Sequence, residues 1–132
     1  MTNDPRSAYL DVGLNTAPPE RLLLLLWDRL LVDLDVADDA LHQGDLHAAS
    51  ERLIHAQDIV FELRNTLRVD VWDGASALAR LYEFVEQRLV AANVQKDRRV
   101  VAECRSLLVP LHEAFHAAAR EAAAARPAAL SA

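Results

Sequence analysis

Residues 112–116, His-Glu-Ala-Phe-His, have the spacing in this chain best suited to chemistry. Two imidazoles four positions apart on a helix project from one face, and the intervening Glu113 could serve as general base beside a bound zinc ion. On those residues alone the chain would be a zinc-dependent hydrolase acting through His112, Glu113 and His116. A catalytic zinc needs a third protein ligand, however. Only 16 residues follow His116, and their sole acid, Glu121, sits on the same helix or its end. Polar residues lining the exposed side of a last helix are the weightier reading, and neither a metal nor a cofactor is expected.

Other constellations are weaker. His47, Glu51 and His55 share one helical face at spacing four, but Asp58 and Glu62 continue that face, which reads as solvated. A di-iron bundle needs inward carboxylates on two helices and two Glu-x-x-His pairs. Only Glu113-x-x-His116 is present, directed away from the apolar stripe. No single exposed histidine with a nearby lysine marks a phosphotransfer site. Cys104 falls on an apolar stripe and reads as a small buried hydrophobe. As the chain's one cysteine it rules out an intrachain disulfide.

The elements that must position these residues are helices. Hydrophobic residues make up 52% of the 132-residue chain but aromatics only 5%, with 3 glycines, a balance that favours helices over a sandwich or barrel. The first helix is expected from about Pro19 to Gln43, with proline at its first position and Gly44 just past its end. Asp45 caps a second, about Leu46 to Leu67, and Asp73 a third that ends near Asn93. Asp97 caps a fourth that runs to about Ala125, before Pro127. The expected core stripes are Leu23, Leu26, Leu30, Leu34, Ala37 and Leu41; then Leu46, Ala49, Leu53, Ala56, Val60, Leu63 and Leu67. In the third helix they are Leu78, Leu81, Tyr82, Val85, Leu89 and Ala92, and in the fourth Val100, Cys104, Leu107, Leu108, Leu111 and Phe115. Connections this short make the four helices antiparallel neighbours, so the fold class is all-α, an up-down four-helix bundle. Residues 1–18 form an N-terminal arm, 19–125 the bundle and 126–132 a disordered tail. Pro110 should kink the fourth helix, and the alanine-rich stretch after Ala117 should fray.

The charge balance is acidic, −6, with no basic stripe to neutralise phosphates, which argues against nucleic acid and anionic membrane as partners. The apolar run Leu22–Trp27 falls far short of the roughly 18 residues that cross a bilayer. The N-terminus has no charged segment leading into an apolar one, so no signal peptide is read and a cytoplasmic protein is expected. The same run carries more apolar surface than one core stripe can bury. On a helical wheel Leu25, Val32 and Val36 lie opposite the stripe, and Ile54 and Phe61 form a similar line on the second helix. Such lines mark an interaction surface, which could equally pair two copies into a homodimer.

An ordered series of short motifs resembles the flagellar secretion chaperone family, the FliS proteins. Ala8-Tyr9 opens it, Leu14 follows five positions after the tyrosine, and Thr16-Ala17-Pro18-Pro19 comes next. Then come Leu26-Trp27-Asp28, where the family has Leu-Tyr-Asp, and Gly44-Asp45 at the first turn. Ala56, Ile59 and Leu63 match the second helix, with His55 where the family usually has lysine. Leu81-Tyr82, Arg88-Leu89, Ala92-Asn93 and Asp97 follow, then Leu107, Leu108 and Leu111, with Phe115 at the usual tryptophan. The series covers residues 8 to 116. Pro18 departs from the usual serine, and Val71-Trp72 stand where the family has a glycine pair.

The resemblance implies a bundle that binds the disordered C-terminal segment of flagellin on its outside, prevents its polymerisation and delivers it to the flagellar type III export gate. It also implies that the arm, through Tyr9 and Leu14, covers part of the client groove until the client displaces it. The candidate partner-binding residues are therefore Tyr9, Leu14, Leu25, Val32, Val36, Ile54 and Phe61, on a groove formed chiefly by the first, second and fourth helices.

Overall fold

The computed structural model describes residues 19–67 and 74–125, and among them every regular element is a helix. They are α1 (Pro19–Gln43), α2 (Leu46–Thr66), α3 (Ala75–Gln95) and α4 (Arg98–Ala125). The arm with Tyr9 and Leu14, the Val71-Trp72 pair, the expected Asp73 cap and the tail lie outside the described residues.

The first turn follows from Gly44 and Asp45. Gly44 takes φ +78°, and the backbone N–H groups of Gly44 and Asp45 donate to the carbonyls of Leu41 (3.2 Å) and Ala40 (2.8 Å). This paired closure satisfies the last carbonyls of α1. The Asp45 side chain then accepts from Ala48 N–H at 3.1 Å and starts α2. The third turn departs from expectation. α3 runs two residues beyond Asn93, and Lys96, not the asparagine, adopts the left-handed conformation at φ 52°. Its ammonium donates to the carbonyl and side-chain oxygens of Asn93 (2.7 and 2.6 Å), placing a cation on the negative end of the helix. α3 begins after Gly74 with no side-chain cap. α4 continues through Pro110, which is exposed, and on to Ala125.

The backbone of each helix packs on two neighbours, α1 with α2 and α4, and α3 with the same two. The direction is set by cross-helix partners. Going down α4, Arg98 meets Asp38, Arg105 meets Asp35, and His112 and His116 meet Asp28, so the two helices run antiparallel. The core holds Leu30, Leu34 and Ala37 of α1, Leu53, Ala56, Val60 and Leu63 of α2, Leu78, Tyr82, Val85 and Leu89 of α3, and Val100, Cys104 and Leu108 of α4.

Four positions correct the stripes. Trp27 is completely buried although it lay outside the expected line, and Ile59 and Val101 are buried as well. Leu46 is half exposed: at the first position of α2 its side chain leans off the end of the bundle. Trp27 reaches inward far enough to stack on Phe115 of α4 (centroids 5.4 Å apart, planes 28°) and to lie tilted against Tyr82 of α3 (6.2 Å). One aromatic cluster thus joins three helices.

Gly44→Ala tests the first turn. A Cβ there would meet nothing within 4 Å, so the cost is the left-handed backbone alone, about 1 kcal/mol in urea unfolding. Arg98→Ala tests the α1–α4 strap. Arg98 pairs both its Nε and Nη2 with Asp38 (2.8 and 3.1 Å), and this holds the Asp38 carboxyl below the usual carboxylate range, against a smaller upward push from burial. A depressed pKa contributes stability above the unfolded value, roughly 3.9, that is lost as pH falls through the folded value. The variant should be slightly less stable than wild type at pH 7, and the gap should close as the pH falls below about 4.

Candidate functional site

The residues expected to face a partner separate into two lines. Leu25 and Val32 of α1 are 41% and 46% exposed, and Val36, on the same face, is half-buried. Ile54 and Phe61 of α2 are 49% and 47% exposed. Phe61 shares its flank with Arg64, whose guanidinium lies 5.5 Å from the Phe61 ring centroid. Arg64 also reaches Glu83 and Glu86 of α3. The spacing 83, 86, 90, 94 puts Val90 and Val94 on the same row as those glutamates, and Val94 is 79% exposed. Phe61 thus lies beside the Arg64 link from α2 to α3, and Val90 and Val94 lie on the α3 row that carries the glutamates of that link, while Leu25 and Val32 are exposed on α1. Val90 and Val94 were legible as a pair four apart, but no core stripe drew attention to the opposite face of α3.

A third apolar feature lies between α3 and α4. Leu78, Leu81, Leu111, Ala114, Phe115 and Ala118 help line an open hollow of about 510 Å³. Among the described residues its lining carries no titratable group.

Two polar clusters tie α1 to its neighbours. Asp33 is completely buried, and its carboxylate accepts from Arg52 Nη1 (3.0 Å) and pairs with His55 Nδ1. His55 is thus a half-buried partner of a buried charge, which corrects its reading as part of a solvated face. His47, by contrast, is exposed and lies near Glu51. On the other flank, His112 and His116 do not end in solvent: their Nε2 atoms lie 2.7 and 2.9 Å from Asp28 Oδ1. Desolvation pushes the Asp28 carboxyl up, but the hydrogen bonds from His112 and His116 together outweigh it and hold it below its ordinary value. The third polar group that the motif lacked downstream is supplied from α1.

That geometry does not make an active site. Residues 111, 114, 115 and 118 line the hollow, whereas 112 and 116 point to α1, so the histidine pair and the cavity occupy different flanks of α4. Glu113 is exposed. Cys104 is no nucleophile either, because burial pushes its thiol up to about 11 and keeps it protonated.

Sequence comparison identifies what kind of bundle this is. The profile of the family described as "Flagellar protein FliS" matches residues 1–122. The chain belongs to the FliS family. The flagellar secretion chaperone FliS of Bacillus subtilis (strain 168) is 32% identical over 112 residues, covering 85% of this chain and 84% of that protein. Those of Salmonella typhimurium (strain LT2) and Vibrio cholerae serotype O1 are 32% and 27% identical over 117 and 111 residues. These alignments span 82% and 83% of this chain, and 84% and 82% of the two relatives. No helix among the described residues is long and apolar enough to cross a membrane.

Two positions in the ordered motif series, Trp27 and Phe115, are in contact, and their rings stack. At His55 the imidazole makes a contact to buried Asp33 that an ammonium could also make.

The Asp33 cluster gives a test. His55→Leu leaves part of a buried carboxylate unserved and should lower stability by about 1.5–3 kcal/mol in urea unfolding. His55→Lys restores a cationic donor and should stay within about 1 kcal/mol of wild type. Equal losses in both would show that the ring's shape, not its donor, matters.

Proposed function

We propose that this chain is a cytoplasmic export chaperone for flagellin. It binds the C-terminal segment of flagellin, keeps that segment from polymerising and delivers it to the flagellar type III export apparatus, without catalysis or cofactor. The observation that carries the reading is apolar surface in the wrong place for a self-sufficient bundle. The core is closed, yet Leu25, Val32, Ile54, Phe61, Val90 and Val94 remain on outer faces, in a chain of the FliS family.

An amphipathic segment laid along such rows buries its own apolar face and theirs together. Two rows on different sides of the bundle suit a client that wraps rather than one that docks in a single cleft. A client that folds as it binds gives up ordering entropy, which keeps affinity moderate for the surface covered and so favours release at the export gate. The N-terminal arm, through Tyr9 and Leu14, is proposed to cover part of this surface before the client arrives. Pairing of two copies would draw on the same rows and would compete with the client.

The test is isothermal titration of the full chain with the C-terminal segment of flagellin from the same organism. One-to-one binding with a negative heat-capacity change and a gain in helical circular dichroism is expected. Val32→Asp and Phe61→Asp should each weaken it roughly tenfold or more. Both positions are exposed, so helix content should be unchanged. Full-strength binding by both variants would remove the outer rows as the client surface.

A further inference from the structure

We infer that Asp28, His112 and His116 form a binding site for a divalent transition-metal ion of the zinc type, one that clips α1 to the C-terminal half of α4. The ligand atoms of the three side chains lie within 4.8 Å of one another. Both histidine Nε2 atoms converge on a single oxygen, Asp28 Oδ1, at 2.7 and 2.9 Å, and the two rings are 4.5 Å apart between centroids. Ligands around a tetrahedral zinc with bonds of about 2.0–2.1 Å stand roughly 3.3 Å from each other. The two nitrogen–oxygen spacings are shorter by only about half an ångström, so small side-chain rotations open the space an ion needs.

The donor set fits that class of ion. Two imidazoles and one carboxylate are borderline ligands suited to zinc, nickel or cobalt and poorly suited to magnesium or calcium, which take oxygen. The two histidines are fixed at i and i+4 on one continuous helix, and the carboxylate arrives from a neighbouring helix whose register Asp35–Arg105 and Asp38–Arg98 also hold. All three side chains are part exposed, so an ion can enter from solvent and water can complete its coordination. With the ion bound, each imidazole is neutral and carries its proton on Nδ1, and no chemistry is performed. The site serves structure. It lies one residue from Trp27 and Phe115, whose stack closes the same end of the bundle. His112 and His116 also satisfy Asp28 without an ion, and that plain ion cluster is the outcome the test must separate.

The experiment titrates Zn²⁺ and Co²⁺ into chelator-treated full-length protein, followed by calorimetry, by Co²⁺ visible absorbance and by melting temperature. One ion per chain in the micromolar range or tighter is expected, with a tetrahedral-type Co²⁺ spectrum and a raised melting temperature. His112→Ala and His116→Ala should abolish it. Asp28→Asn should loosen it by roughly tenfold or more, since even outer-shell groups around metals are worth that much. His47→Ala, on a distant exposed face, should bind as wild type does. No saturable binding, binding that survives loss of both histidines, or binding indifferent to Asp28→Asn would each overturn the site.

Discussion

A buried carboxylate fixes how this bundle is assembled. Asp33 is inaccessible to water, and only Arg52 and His55 of α2 hold its charge among the described residues. Removing a charge from water without pairing it costs several kcal/mol. A slip of α1 along α2 by one turn, about 5.4 Å, would leave the carboxylate against apolar side chains. Leucine-rich stripes alone tolerate such slips, because one leucine replaces another at the interface. The buried charge does not, so it selects one register, and that register decides which residues of both helices face out.

On the other flank of α1 the constraint is volume. Trp27 is the largest side chain in the core, and it fills the space between α1, α3 and α4 by stacking on Phe115 and tilting against Tyr82. Burial pushes the Tyr82 phenol above its ordinary pKa and keeps it neutral in this apolar setting. Because the stack settles the separation of α1 and α4 at that end, it also determines that Asp28 comes within hydrogen-bonding distance of His112 and His116. With both flanks of α1 committed, Leu25 and Val32 are left exposed among the described residues.

Residues far apart in the chain meet in single contacts. Trp27 and Phe115 share one ring stack. His55 of the second helix pairs with the buried Asp33 carboxylate of the first.

The sequence by itself determined the helices and most of the core. Gly44-Asp45 announced the first turn, Asp97 began the last helix, and the stripes through Leu30, Leu53, Val85 and Cys104 are buried where the period of 3.6 placed them. These are local properties, written in spacing along one helix. The exposed lines at Leu25, Val32, Ile54 and Phe61 were legible for the same reason, as the faces left over. Tertiary structure alone decided what meets across helices: that Asp33 is paired, that Trp27 points inward, that Arg64 links the Phe61 flank to Glu83 and Glu86, and that His112 and His116 find their third partner at Asp28. A periodic pattern says which way a side chain faces but not what stands opposite. The answer depends on register and separation between helices far apart in the chain, and these were set by one buried charge and one aromatic stack.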